Sequence, residues 1–472
     1  MIIIQRCYNY NIKIQVLQKC FSQKYIQESF VCSGGVEVLL LNKDMLHTLL
    51  NQLWRVVAGP ALLICIPLFL TPVEQGYWYT FTSIAALAVF ADLGFSTIIL
   101  QFTAHEFAHL SFAENGTICG DVKALWRLAS FFHFCLSWLG KAIGIVFPVI
   151  VIGGWLFLQM KDDGIAWHGA WLLYSVMSAW SFFNVAMLSF FEGCNSVARV
   201  QKIRMILVII NSGTMLAGLY SDMGLWALAC GMLLSALAGT GLLWRNFCVA
   251  VQQLWKAAAR YRYDWWPEFS GLIWRYAVSW GSGYFIFQLF VPLAFAFLGA
   301  DYAGKTGMSI AAWTAGFNIS FAWMTAVIPR INMLIEMKNW QALDDLFVKR
   351  CTAVLATMAL GGSAFFVLYF IFDDISFFQR VLPLTSMVIL FLCWLCQAWV
   401  NSIAVYLRGH KEEPLMKLSA FSAVYVAVTT FFCARYLAED WLFAGFFSSY
   451  LWGIPLIYRI YAKFKVRHGV IK

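Results

Sequence analysis

Apolar runs long enough to cross a bilayer recur along most of this chain. They fall at about 50 to 70, 77 to 104, 130 to 159, 168 to 191, 203 to 220, 225 to 244, 272 to 299, 306 to 328, 352 to 372, 381 to 407, 415 to 434 and 440 to 460. A helix crosses the ~30 Å hydrocarbon core in roughly 20 residues. Lipid cannot satisfy backbone N–H and C=O groups, so each crossing segment must satisfy its own, which a helix does. The expectation is an all-α polytopic membrane protein of about twelve transmembrane helices. Composition points the same way. Of 472 residues, 61% are hydrophobic and 12% charged, against about a quarter charged in soluble domains. The gaps between runs leave no room for a soluble catalytic domain, so the chain is not read as an enzyme.

The net charge of +9 would suit nucleic acid, anionic lipid or membrane topology, and placement separates these. Basic residues cluster in alternate connections: Lys123 and Arg127; Arg199, Lys202 and Arg204; Arg245, Lys256, Arg260 and Arg262; Arg330, Lys338, Lys349 and Arg350; Arg408, Lys411 and Lys417; and the tail with Arg459, Lys463, Lys465 and Arg467. The opposite loops hold only Lys161, Lys305, Arg380 and Arg435. Cytoplasmic loops retain Lys and Arg, so both termini are expected in the cytoplasm. The positive charge is then a topology signal and a contact with membrane lipids, with no call for nucleic acid.

Residues 1 to 44 carry scattered polar residues and lack the apolar stretch of a signal peptide. Met45 closely precedes HTLLNQLWR, so 1–44 reads as an N-terminal extension that is either disordered or a mis-assigned start, with Met45 as the natural first residue. The rest divides into halves. Trp54-Arg55 and Trp274-Arg275 each open an outgoing span, Pro67 and Pro292 sit in the outer parts, and the offset of 220 residues is close to half of the 428 from Met45 to Lys472. This predicts two six-helix bundles, 45–244 and 272–472, repeated in parallel about an axis along the membrane normal. Trp-Arg also serves as a plain interfacial anchor, as in Trp126-Arg127 and Trp244-Arg245. The basic, aromatic stretch 245–271 reads as an interfacial helix joining the halves.

Ionisable side chains at membrane depth are functional candidates by default. Here they are Arg55, Lys141, Arg275 and Asp92. Arg55, Arg275 and Lys141 are candidates for a cationic, substrate-binding cavity; the alternative for each is a cation snorkelling to the interface. Asp92 is a coupling acid or the ion-pair partner of Arg55. His105-Glu106-Phe107-Ala108-His109 matches the HExxH zinc pattern, but catalytic zinc needs a third ligand. The nearest acidic candidate, Asp163, is expected on the opposite face. Cys393 and Cys396 form a CxxC inside an apolar run, which reads as packing. No metal or cofactor is expected.

Glu74 to Trp78 (E-Q-G-Y-W, read as a short outer loop) and Asp92 to Gly94 (D-L-G) resemble the oligosaccharide flippases of bacterial polysaccharide biosynthesis. These O-antigen (Wzx-type) proteins belong to the multidrug/oligosaccharidyl-lipid/polysaccharide exporter superfamily. The resemblance implies a bacterial inner-membrane flippase that moves an undecaprenyl-pyrophosphate-linked oligosaccharide, a lipopolysaccharide or similar repeat unit, by alternating access. Polysaccharide polymerase machinery is an implied partner. The alternative is a multidrug exporter of the same superfamily.

Overall fold

The computed structural model describes residues 58–467 except 162, 259–262, 373–374 and 411–413; the side chains of Leu272, Arg275 and Ser376 also lie outside the description. The extension 1–44, the Met45 start and Arg55 therefore fall outside the described residues.

Every apolar run of the sequence is mostly helical where described. Among the described residues, ten helices are long and apolar enough to cross a membrane, or eleven if one bent pair counts as a span. The first run is described as α1 (Ala58–Phe69) alone. The bent pair begins with α2 (Pro72–Ala85), passes a 3₁₀ turn at Ala86–Ala88 into α3 (Val89–Asp92), and continues as α4 (Phe95–Phe107). A hairpin of β1 (Leu110–Phe112) and β2 (Ile118–Gly120) follows, antiparallel and turning at Asn115-Gly116. Then come α5 (Val122–Leu158), α6 (His168–Gly193), α7 (Val197–Tyr220) and α8 (Leu225–Ala258). The second half holds α9 (Trp266–Phe287), α10 (Phe290–Leu298), α11 (Ala300–Thr325), α12 (Ile328–Glu336), α13 (Trp340–Ile371), the short α14 (Ser376–Gln379), α15 (Leu384–Gly409), α16 (Met416–Tyr436) and α17 (Ala444–Arg467).

Three sequence expectations change. Residues 74–78 are the first turns of α2 and not a loop. Thr71 and Glu74 form a capping box, in which the Thr71 N–H and hydroxyl donate to Glu74 Oε2 at 2.9 and 2.8 Å, and Pro72 opens the helix. These contacts satisfy orphan donors of the first turn. Residues 245–258 are not a separate interfacial helix, since α8 runs on without a breaker to Ala258 and α9 starts at Trp266. The run 272–299 is interrupted at Gln288-Leu289, between α9 and α10.

The break in the second span has a local cause. Leu93 and Gly94 both take left-handed backbone (φ 45° and 76°), which stops α3. Asp92 Oδ1 then accepts from the Ser96 N–H at 3.1 Å and its hydroxyl at 2.6 Å, so the carboxylate sits at the positive end of α4. The two segments differ in direction by 41°. A Cβ on Gly94 would lie 2.7 Å from Tyr276 Cβ, so α9 passes tightly over the break.

Ion pairs join helix ends on the face that the charge distribution assigns to the cytoplasm. Arg127 holds Glu106 with two bonds of 2.8 and 2.9 Å, Arg204 pairs with Glu192 at 2.8 Å, and Lys465 pairs with Asp344. Arg127 also lies 4.6 Å from the Tyr263 ring centre and 5.1 Å from that of Trp265, a cation–π contact that pins the entry to α9 onto the first half.

Candidate transport cavity and outer seal

A cavity of about 1060 Å³ lies between α1, α2, the α9–α10 junction and α11. Its wall starts at Tyr79 and Gly307 and runs down α11 to Thr325 and Ala326. Most of the wall is aliphatic or aromatic. Thr82, Ser83, Gln288, Thr314 and Asn318 add polar groups, and among the described residues no charged side chain lines it.

Beyond Tyr79 the cavity is shut by α2 packing on α11. The approach is backbone to backbone. A Cβ on Gly76 would sit 1.9 Å from the Ala300 carbonyl oxygen, one on Gly304 2.9 Å from the Gly76 nitrogen, and one on Gly307 2.3 Å from Tyr79 Cβ. Small residues permit such helix contacts in lipid. Buried Gln75 completes the seal, its Nε2 donating to Gly304 O at 2.9 Å and Arg380 O at 3.2 Å. Arg380 Nη2 donates to Leu70 O at 3.1 Å, placing a cation at the C-terminal end of α1. Burial pushes the Arg380 guanidinium down, with Asp301 opposing. Among the described residues, Gln75 Oε1 and Arg380 Nη1 are buried without a protein partner, which weakens the seal, because an unmade buried bond costs about 1–3 kcal/mol.

The sequence candidates divide among several places. Arg55 stands four residues before Gly59 of the wall but lies outside the described residues, as does the Arg275 side chain. Lys141 is exposed on α5 and shares a helical stripe with Ile145, Val149, Ile152 and Leu156, each at least 60% exposed. That stripe faces away from the wall, and a lysine there snorkels. Asp92 caps α4 through Ser96 and is not part of the wall.

Glu106 of HEFAH is engaged by Arg127, while Asp163 accepts from the Tyr77 hydroxyl at 3.4 Å. Tyr77 and Glu106 are at opposite ends of the second span, on the order of 40 Å apart at 1.5 Å per residue. HEFAH and Asp163 therefore cannot share a metal.

Gln75, Arg380, Gln288 and Asn318 were not singled out from sequence. Gln75 had a signal, lying within E-Q-G-Y-W. Gln288 had a weaker one, as an amide in the apolar run FIFQLFVPL.

No protein-family model matches the chain, and no curated protein matches it. Solved structures do. The chain is similar to the inward-facing conformation of a multidrug resistance MATE family transporter of the MOP superfamily. The identity is 14%, over 89% of this chain and 96% of that one, with a TM-score of 0.51. It is also similar to MATE in complex with MaD3S, at 12% identity over 89% and 95% of the two chains and a TM-score of 0.50. The likeness is one of fold. The chain is an all-α, multi-pass membrane protein.

Proposed function

We propose that this protein is an alternating-access transporter of an amphiphilic organic molecule, with the cargo's head in the central cavity and the outer route shut in the state described. The observation that carries this is the pairing of a large cavity reaching toward the inner end of α11 with a seal of Gly76, Gly304 and Gly307 directly above it. A closed end and a reachable end between two halves is the arrangement that rocking bundles require. Topology, with twelve spans and both termini inside a bacterial inner membrane, belongs to the same proposal.

Multidrug export is the cargo reading nearest to the fold likeness, and the uncharged described wall suits drug-sized neutral or weakly polar molecules. Flipping of an undecaprenyl-pyrophosphate-linked oligosaccharide is a second reading, favoured by the E-Q-G-Y-W and D-L-G resemblance. In that reading Arg55 and Arg275 meet the pyrophosphate. Deleting the gene separates the two. Accumulation of lipid-linked repeat units on the inner leaflet with unchanged drug sensitivity selects flipping, and drug hypersensitivity with normal surface glycan selects multidrug export. Neither change would remove the proposal. Normal surface glycan with Arg55→Ala and Arg275→Ala at wild-type protein levels would end the pyrophosphate role of the two arginines.

A further inference from the structure

Gln288 and Asn318 both line the cavity, both are exposed, and among the described residues neither carboxamide has a protein hydrogen-bond partner. The other polar groups of the wall are partly spent. Thr82, Thr314 and Thr325 donate to the carbonyls of Tyr79, Ile310 and Ala322 in their own helices, at 2.8, 2.7 and 3.1 Å. The two carboxamides thus hold donors and acceptors open to an occupant.

Their depths differ. Gln288 is ten residues from the outer end of α10, about 15 Å into the membrane, and Asn318 is eighteen residues from the start of α11, about 27 Å in. Gln288 also stands at the break between α9 and α10, and interrupted spans line the binding sites of transporters of this general build. An amide exposed to hydrocarbon at mid-depth is costly, so its place is explained by a wet or occupied cavity.

We infer that Gln288 and Asn318 read an uncharged, hydrogen-bonding head, with the chemistry of a sugar's hydroxyl or acetamido groups, extended along the cavity axis. A carboxamide donates and accepts at once, as hydroxyl recognition needs. An ammonium or a pyrophosphate would need a counter-charge that the described wall does not supply. The inference rests on the cavity being the cargo site.

The test uses full-length protein in nanodiscs and three tritiated probes with one tail: octyl maltoside, octyl pyrophosphate and octyltrimethylammonium. Octyl maltoside is expected to bind at least about ten-fold more tightly than either charged probe. Gln288→Leu and Asn318→Leu are each expected to weaken it by about ten-fold. Gln288→Glu, which stays polar should a leucine variant misfold, is expected to shift preference toward octyltrimethylammonium. Preference for a charged probe, or maltoside binding indifferent to all three substitutions, overturns the carboxamide role and leaves the cavity standing. No specific binding of any probe removes the cavity as cargo site and both inferences with it.

Discussion

Gly76→Ala is the sharpest perturbation of the outer seal. Its new methyl would lie 1.9 Å from the Ala300 carbonyl oxygen, and the obstacle is backbone, so no rotamer change relieves it. Restoring ordinary contact means separating α2 from α11 by well over 1 Å. The 2.9 and 3.2 Å bonds from Gln75 to Gly304 O and Arg380 O do not survive that separation. Overpacking costs about 1–3 kcal/mol and each of the two lost bonds about 0.5–1.5, so the sealed state loses about 2–6 kcal/mol relative to one with the outer end open. At 1.4 kcal/mol per factor of ten this is a shift of roughly 30-fold to ten-thousand-fold or more. Ser83 lines the cavity beneath the seal. In right-side-out vesicles, a membrane-impermeant maleimide added outside should therefore label Ser83→Cys at least about ten-fold faster in the Gly76→Ala background. Unchanged labelling in a protein with normal expression and melting would refute the account of the seal.

Asp92→Ala removes the acceptor at the start of α4, worth about 0.5–2 kcal/mol; amide exchange over 95–100 should quicken by roughly two- to thirty-fold, and Asp92→Asn should restore most of the protection. Arg127→Met strands the half-buried Glu106 and frees the Tyr263–Trp265 entry to α9. A loss of about 1–2 kcal/mol is expected, discounted for the partly exposed guanidinium, and no change in thermal stability would count against the latch. Lys141→Ala should leave cargo binding and transport as they are, because the side chain shares the outward stripe of Ile145 and Val149; loss of transport at normal protein levels would return Lys141 to the cavity.

The spans were legible because twenty apolar residues in a row allow little else, and the capping signal Thr71-x-x-Glu74 with Pro72 was present to mark the start of α2. Hydropathy obscured it, since Glu74, Gln75 and Gly76 lower the local average and so look like a loop. D-L-G announced a glycine without saying that Leu93 would share its left-handed backbone. Nothing near Gln288 marks a break, as the nearest proline is four residues on, at Pro292. Lys141 could have been set aside from sequence, because its 3.6-residue stripe is wholly aliphatic. Arg380 could not be read, because its partners Leu70 and Gln75 are about 300 residues away in sequence and meet it only when the halves close.

The most direct test of alternating access is to fix the seal and watch cargo. In protein with Gln75→Cys and Arg380→Cys and its native cysteines replaced, a short bis-methanethiosulfonate reagent would tie the outer ends of the two halves together. Movement of fluorescent octyl maltoside across proteoliposomes should stop on bridging and resume on reduction. Movement that continues at the same rate with the bridge in place would contradict the account.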